Sequence, residues 1–307
     1  MEKAVISVII PAYNEDALIG KVVLELKDAI GNAQVVVIDD GSEDDTADQA
    51  AMAGAEVISH PVNLGNGASV KTGIRAAWGD LVVIMDGDGQ HDPAEIPKLV
   101  EHLDLYDMVV GARAKKQHAS WPRSIMNRIF SRLAAYVTSY PVEDLTSGFR
   151  ALRSDTARDL LPLLPNGYSW PTTSTLVLLR SGLSVKYVPI DVRPRRYGRS
   201  RIRPVYDSIR FLMIILKICT LYSPFRIFLP ASGAIFLAGL LNYAYTYFTS
   251  SRFTNMSALM FTGAIILFMM GLISEQISQI SLLRHQVKRR LTNTMRSKPQ
   301  RSDDHQN

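Results

Sequence analysis

The pattern of hydrophobic and polar positions divides the chain into two unlike regions. As far as about residue 200, short apolar runs alternate with polar segments, whereas residues 205–283 hold long and almost uncharged runs. Several of the short runs are uninterrupted and rich in β-branched residues, as strands are when both faces of a parallel sheet are covered. These runs predict strands at 5–10, 34–38, 55–59, 81–85 and 108–110.

Helical periodicity occupies the intervals between these strands and follows the fourth one. Strand and helix in alternation predict an α/β fold with a doubly wound, mostly parallel sheet and right-handed crossovers. Ligands of such sheets bind beyond the carboxyl ends of the strands. The predicted helices lie at 16–30, 46–53, 68–77 and 94–102.

The C-terminal region contains two apolar runs, at about 225–248 and 256–282. Each exceeds the ~20 residues that a membrane-spanning helix needs. Basic residues crowd before the first run and after the second, while the loop between them, 249–255, holds one arginine. This charge asymmetry predicts two transmembrane helices with both termini in the cytoplasm. A buried helical hairpin of a soluble protein is the alternative.

Two amphipathic segments precede the apolar runs. In residues 121–140, apolar residues recur every fourth position with arginines among them, which favours a helix in the membrane interface or an ordinary surface helix packed on the sheet. The polar tail after the second run is predicted to be disordered. The predicted domains are a cytoplasmic α/β domain at 1–203, an amphipathic juxtamembrane helix at 204–223, two transmembrane helices at 224–283 and a basic tail at 284–307.

Composition and charge narrow the partners. The 307 residues are 47% hydrophobic, which is ample for a buried core, and the formal net charge is +5. Basic residues concentrate at 193–210 and 284–301, so phosphates and anionic lipid headgroups are the expected partners. No motif for reading nucleic acid accompanies them.

The single cysteine, Cys219, excludes an intramolecular disulfide and a multi-cysteine zinc site. The apolar run 4–10 ends at Pro11, too early for a secretory signal, so the first domain is expected to stay in the cytoplasm.

Acidic residues follow the fourth predicted strand. Asp86 and Asp88 stand two positions apart, with Gln90 and His91 after them. Carboxylate oxygens in such a loop suit a hard divalent cation, which can neutralise a diphosphate. The same spacing also arises in solvated turns, so the spacing alone does not establish a metal site. His91 fits either a role on the acceptor side or a structural role.

Polar clusters also follow the first two strands. The segment 39–46 begins with Asp39, Asp40, Gly41 and Ser42, and it reads either as a turn with a helix cap or as carboxylates that bind a base and a ribose. Residues 11–15 place an aromatic ring and a carboxylate beside the same edge of the sheet.

Taken in order, these three segments resemble family 2 glycosyltransferases of the GT-A fold. Two more segments, 144–151 (DLTSGFRA) and 195–201 (RRYGRSR), are similar to parts of dolichol-phosphate mannose synthases and their bacterial polyprenyl-phosphate relatives. The resemblance covers roughly residues 5–225, and the two-helix anchor matches the bacterial members. Gly87 stands where the family usually has alanine, which should be harmless. Arg201 replaces a lysine, which keeps the charge but alters the geometry toward phosphate.

The resemblance implies a set of site residues. Asp88, Arg113 and Arg201 would act electrostatically in catalysis, and Arg123, Arg128 and Ser147 would contact the acceptor phosphate. A divalent cation, Mg²⁺ or Mn²⁺, would be held by Asp86, Asp88 and Gln90. The implied donor-binding residues are Pro11, Tyr13, Glu15, Ile38, Asp40, Asp86, Gly87, Asp88, Arg113, Arg195 and Arg201.

The resemblance also implies an activity. One hexose would pass, with inversion, from GDP-mannose or UDP-glucose to an undecaprenyl or dolichyl phosphate at the cytoplasmic face, in a bacterial inner membrane. The acceptor phosphate, with a second pKa near ~6, is already anionic and needs little help from a general base. A homo-oligomer is compatible with the sequence.

Three other activities compete with this prediction. A family 2 enzyme could use a polysaccharide or glycerolipid acceptor, although a processive synthase should carry a Q-x-x-R-W motif and more spanning helices. The acidic loop and the arginines argue against a non-catalytic nucleotide-binding membrane module. A dehydrogenase is disfavoured because no strand is followed by G-x-G-x-x-G, and no Walker A sequence occurs.

Overall fold

The computed structural model divides into two compact units, Met1–Ile215 and Leu216–Asn307. For residues 279–296 only the backbone is described. The residues that the structure describes are 4–113, 132, 135–136, 140–193, 213 and 224–296.

The first unit is built on a seven-stranded sheet with the order β3-β2-β1-β4-β6-β5-β7. Neighbouring strands are parallel except that β6 runs antiparallel to both β4 and β5. The predicted doubly wound, mostly parallel sheet is therefore confirmed. The strands are β1 Ile6–Ala12, β2 Gln34–Asp39, β3 Glu56–Ser59, β4 Leu81–Ile84, β5 Met108–Arg113, β6 Arg150–Arg153 and β7 Val185–Ile190.

Helices connect the strands and cover the sheet. A short 3₁₀ turn at Pro93–Glu95 precedes α4, so the helical pattern predicted at 94–102 is divided. Prolines can occupy the first turn of a helix but interrupt its interior, which accounts for this division. The helices of this unit are α1 Asp16–Ala29, α2 Thr46–Met52, α3 Asn66–Ala76, α4 Ile96–Val100, α5 Ser154–Leu160 and α6 Trp170–Arg180.

The core forms where uninterrupted apolar strands meet the apolar faces of the helices. The central strands β1 and β2 have fully buried interiors, and α1 turns Ile19, Val22, Val23 and Leu26 toward them. The spacing of these four residues is that of one helical face. Helix α3 approaches β1 so closely that Gly73 lies directly against Ile9.

Strands β6 and β7 are not foreseen by the hydrophobic pattern. β6 begins and ends with arginine, and β7 contains Lys186 and Pro189, so neither is a continuous apolar run. Both are placed by pairing with β5, which β6 joins in antiparallel and β7 in parallel direction. The sheet is therefore mixed at this side.

The second unit contains two long helices, α7 Phe225–Ser250 and α8 Asn255–Arg296. By length and composition, α7 and the segment Asn255–Ser278 could each cross a membrane. Within this hairpin the amide nitrogen of Asn242 donates to Ser257 Oγ (2.9 Å), and a close approach to α8 requires glycine at 239. Helix α8 continues to Arg296, into the tail at 284–307 that the sequence predicts to be disordered. Residues 297–307 of this tail lie outside the described residues.

The two predicted amphipathic segments, 121–140 and 204–223, lie almost entirely outside the described residues. The arginines predicted to contact phosphates within or near them also lie outside: Arg123, Arg128, Arg195 and Arg201.

The contact between α3 and β1 yields a stability prediction. Gly73→Ala places a methyl group against the buried Ile9 side chain, and we expect a loss of about 1–3 kcal/mol in the free energy of unfolding. Gly31→Ala is the matched control, because a Cβ there meets no atom within 4 Å. Thermal unfolding of the purified protein compares the two. Equal melting temperatures for both variants would contradict the close packing.

Candidate active site

The loops after β1 and β2 are tied together at the carboxyl edge of the sheet. Asn14 adopts a left-handed conformation (φ 53°), its N–H donates to Ser42 Oγ (2.9 Å), and its side-chain oxygen accepts from Glu43 N–H (3.0 Å). The N–H of Glu15 donates to Thr46 Oγ1 (2.8 Å). Asparagine tolerates this backbone conformation better than most residues. Tyr13 and Glu15, both predicted donor-binding residues, are thus held beside the β2 exit.

Pro11 and Ile38, two further predicted donor-binding residues, lie opposite each other in the register of β1 and β2. Both are buried, and Ile38 is 0% exposed. They form the floor beneath the two loops.

Asp40 lies just after β2 and is hydrogen-bonded to the loop after β3. It is 3% exposed, and its carboxylate accepts from Leu64 N–H (3.0 Å) and Gly65 N–H (2.8 Å) and pairs with His60 Nδ1 (2.8 Å). The other ring nitrogen of His60 contacts Thr72 Oγ1 at 2.9 Å. These three contacts of Asp40 fix the loop after β3, and a carboxylate can accept about four hydrogen bonds. The predicted contact of Asp40 with a nucleoside stays a prediction.

Asp39, the last residue of β2, lies beside Asp40 at the same edge of the sheet. Its Oδ1 accepts from Ser42 N–H (3.0 Å), and its Oδ2 has no hydrogen-bond partner in the described part of the chain. A carboxylate oxygen at this edge can accept a hydrogen bond from a ligand.

The acidic loop follows β4, as predicted. Asp86 packs against the backbone of Gly148, where a Cβ would lie 2.6 Å from Asp86 Oδ2. Asp88 Oδ1 accepts from Gln90 N–H (3.1 Å), which turns the loop so that Asp86, Asp88 and Gln90 all remain half-buried. Gly87 is buried, and a Cβ there would meet Ile10 Cγ2 at 3.3 Å, a tight contact that an alanine could occupy with a small adjustment.

Arg113 ends β5 beside this loop. Its Nε and one terminal nitrogen donate to Asp144 at 3.0 and 3.3 Å, and the same terminal nitrogen donates to Thr146 Oγ1 at 2.7 Å. Burial disfavours the charged guanidinium, but Asp144, Asp86 and Asp88 outweigh it and raise the pKa of Arg113. The other terminal nitrogen makes no hydrogen bond to any described residue. Arg113 is therefore a cation fixed by Asp144 and Thr146, with one terminal nitrogen that has no partner among the described residues.

Ser147 belongs to the scaffold. It is 3% exposed, and its hydroxyl donates to the Gly111 carbonyl oxygen at 2.6 Å. A hydroxyl that is buried and engaged with the backbone offers nothing to a phosphate, so the predicted role of Ser147 at the acceptor is withdrawn.

His91 is enclosed beneath the acidic loop. Its ring stacks on Phe149 with centroids 5.0 Å apart, and its Nδ1 has no hydrogen-bond partner among the described residues. Burial lowers the pKa of His91 to about 4, against the opposing charge of Asp88. The imidazole is therefore neutral at neutral pH and supports the loop by stacking.

Comparisons with known proteins identify this arrangement. The family described as glycosyl transferase family 2 matches residues 7–161, and the family described as GtrB C-terminal hairpin matches residues 223–280. The chain belongs to glycosyl transferase family 2. The strand-exit loops described above all lie within or beside the first match, so this edge of the sheet is the candidate active site of a glycosyltransferase.

Individual relatives of this glycosyltransferase are polyprenyl-phosphate sugar transferases. The chain is 32% identical over 210 residues to an undecaprenyl-phosphate mannosyltransferase of Micrococcus luteus, covering 63% of this chain and 86% of the relative. It is 30% identical over 258 residues to an undecaprenyl-phosphate 4-deoxy-4-formamido-L-arabinose transferase of Pseudomonas aeruginosa, covering 77% and 71%.

A solved structure agrees with the fold. The chain matches glucosyl-3-phosphoglycerate synthase from Mycobacterium tuberculosis in complex with Mn²⁺ and UDP-glucose, with a TM-score of 0.56, 25% identity and coverage of 70% of this chain and 79% of that one. This likeness confirms the GT-A fold that the sequence predicts.

In this family 2 glycosyltransferase, two functional contacts escape sequence reasoning. Asp144 and Thr146 position Arg113, and Arg150 holds the loop that carries them; the sequence marks this segment only through its resemblance to relatives. The sequence feature that could have revealed these contacts is the polar composition of the segment before β6, a strand that is otherwise buried.

The role assigned to Asp40 can be tested. Asp40→Asn replaces one of the two oxygens that accept from Leu64 N–H and Gly65 N–H, so we expect the free energy of unfolding to fall by about 1–3 kcal/mol. Asp48→Asn, at an exposed position in the first turn of α2, is the control and should lower stability by less. Thermal unfolding measures both. If Asp40 only contacts a nucleoside, the variant will keep its stability and lose only nucleotide affinity.

Proposed function

We propose that this glycosyltransferase transfers one hexose from a nucleotide sugar to a polyprenyl phosphate at a membrane surface. The observation that carries the proposal is the arrangement of Asp86 and Asp88 against Arg113 at the ligand-binding edge of a family 2 domain. The relatives named as undecaprenyl-phosphate transferases support the acceptor class. GDP-mannose and UDP-glucose are the donors to test first, because the names of a mannosyltransferase relative and of a UDP-glucose complex point to them.

The nucleoside is proposed to bind at the β1 and β2 exits. Tyr13 and Glu15 flank this position, Pro11 and Ile38 form its floor, and Asp39 offers a carboxylate oxygen that has no partner among the described residues. Asp39 is proposed beside Asp40 as a contact of the nucleoside. Asp40 would also fix the loop from His60 to Gly65.

A divalent cation, Mg²⁺ or Mn²⁺, fits the donor set at the β4 exit. Among the described residues no group of three or more histidine, cysteine, aspartate or glutamate side chains is arranged to hold a metal. One or two carboxylates plus substrate phosphate oxygens are nevertheless the usual ligands of Mg²⁺, and Asp86 and Asp88, with Gln90, offer that set. When bound, the cation supplies positive charge for the donor diphosphate.

The reaction we propose is a single in-line displacement. A phosphate oxygen of the acceptor forms a bond to the anomeric carbon as the bond to the nucleoside diphosphate breaks, and the configuration inverts. Because the acceptor phosphate is already an anion, the protein needs to supply positioning and charge compensation rather than a general base. Arg113, fixed by Asp144, would meet the phosphates with the terminal nitrogen that has no partner among the described residues. Arg195 and Arg201 are proposed at the donor diphosphate, and Arg123 and Arg128 at the acceptor phosphate.

The two long helices would anchor the enzyme where its acceptor resides. An isoprenoid tail stays in the bilayer, so the catalytic unit must work at the membrane surface. We propose a bacterial inner membrane, with the catalytic domain and both termini in the cytoplasm, as the basic residues around the helices suggest.

An acceptor panel tests the function. Membranes containing the protein are incubated with GDP-mannose or UDP-glucose and with undecaprenyl phosphate, diacylglycerol or 3-phosphoglycerate, with and without EDTA. We expect a glycolipid from undecaprenyl phosphate alone, and none with EDTA until Mg²⁺ or Mn²⁺ is restored. Product from diacylglycerol or 3-phosphoglycerate would instead assign a different acceptor, and full activity without divalent ions would overturn the metal role.

A substitution in the acidic loop gives a second prediction. Asp88→Asn should lower the transfer rate by about a hundredfold or more, because a charge aimed at the diphosphate is lost. The melting temperature should stay that of the unmodified protein, since Asp88 is only half-buried. Asp104→Asn, an exposed residue after α4, is the control. Initial rates of glycolipid formation measure the effect of each variant. Near-normal turnover by Asp88→Asn would refute the role assigned to Asp88.

A further inference from the structure

Arg150 is a buried charge that the proposed reaction does not use. It opens β6, is 0% exposed, and has no carboxylate oxygen within 4.0 Å among the described residues. Burial lowers the pKa of Arg150 to about 10, so the guanidinium still carries its charge at neutral pH; Tyr187, Asp144 and Asp86 oppose the effect of burial. Burying a charge without an ion-pair partner costs several kcal/mol. Such a cost calls for an account of what the charge does.

The guanidinium holds the loop that borders Asp86 and Asp88, the acidic pair after β4. Its Nε donates to the Ser147 carbonyl oxygen (2.8 Å), and a terminal nitrogen donates to the Leu145 carbonyl oxygen (3.3 Å). The next residue, Gly148, is the one whose backbone packs on the Asp86 carboxylate. At the other end of the loop, Asp144 holds Arg113. Arg150 thus fixes the backbone of the loop that contacts Asp86 and that carries Asp144, the partner of Arg113.

The opposite side of the guanidinium is clamped by α6. The remaining terminal nitrogen donates to Ser174 Oγ (3.0 Å) and Thr175 Oγ1 (2.6 Å), and the Trp170 ring lies 5.7 Å away. The Trp170 ring N–H in turn donates to Asn66 Oδ1 (2.6 Å), in the first turn of α3. Because the donor fork of arginine is rigid, these contacts fix the guanidinium and hence the loop.

We infer that Arg150 is a positioning residue: by holding the carbonyl groups of Leu145 and Ser147, it keeps Gly148 against Asp86 and so sets the affinity of the acidic pair for a divalent cation. This inference rests on the proposed function. Loss of a contact that orients a metal ligand typically lowers metal affinity about 10–100-fold. A residue that only fills the core would lower stability and leave the metal affinity of the folded protein unchanged.

The test measures Mn²⁺ binding and not stability alone. Full-length protein in detergent is titrated with Mn²⁺ in the presence of GDP or UDP, and free Mn²⁺ is read by electron paramagnetic resonance. We expect Arg150→Gln to weaken Mn²⁺ binding about tenfold or more, and Arg150→Lys to recover part of the loss. Arg153→Gln is the matched control, since Arg153 lies at the other end of β6 and pairs with Asp107 (2.9 Å).

A second variant covers the case in which Arg150→Gln does not fold. Thr175→Val removes one acceptor of the guanidinium while keeping the charge and nearly the shape, and it should weaken Mn²⁺ binding in the same direction by a smaller factor. Thr173→Val, on the same helix, is its control. Unchanged Mn²⁺ binding by Thr175→Val and by every Arg150 variant that folds would overturn the inference. If the unmodified protein itself binds no Mn²⁺ with either nucleotide, it is the proposed metal role that fails.

Discussion

The antiparallel course of β6 is the constraint on which the candidate site depends. In a purely parallel sheet, only loops that follow strands reach the carboxyl edge. Because β6 runs against β4 and β5, the segment that precedes it, residues 144–149, reaches the same edge as the acidic loop after β4 and Arg113 at the end of β5. The antiparallel direction of β6 therefore brings the backbone of residues 144–149 to the same place as the carboxylates of the acidic loop and Arg113.

Because charged side chains converge at this edge of the sheet, their charges have to be compensated, and the fold does so by pairing each with a specific partner. Asp144 is buried, yet Arg113 and the neighbouring N–H donors hold its pKa below the ordinary value. Arg113 is in turn kept charged by Asp144 and by the acidic loop. Asp40 is satisfied by backbone N–H groups and His60. Among the described residues, the groups that these pairings leave to a ligand include one oxygen of Asp39 and one terminal nitrogen of Arg113.

Hydrophobic periodicity predicts the part of the fold that local sequence controls. The first four strands and α1 are close to their expected bounds, because buried parallel strands and amphipathic helices each leave a pattern of their own. β6 and β7 leave none, since their pairing is decided by distant partners. The same limit applies to Asp39 and Asp40: their order along β2 is visible in the sequence, but which carboxylate meets the loop at 60–65 depends on how β3 and α3 return to the sheet.

Charge balance at this edge explains why the proposed reaction needs cations beyond those already in place. Asp86 and Asp88 lie near Arg113, whose charge is already shared with Asp144. A donor diphosphate and an acceptor phosphate would add further negative charge beside these two carboxylates. Their approach is therefore unfavourable unless a divalent cation and additional guanidinium groups enter with them. In the sequence, segment 195–201 begins two positions after Arg193, whose backbone N–H donates to the Gln90 carbonyl oxygen (2.8 Å). The guanidinium groups of this segment are the ones that the proposal places at the donor diphosphate.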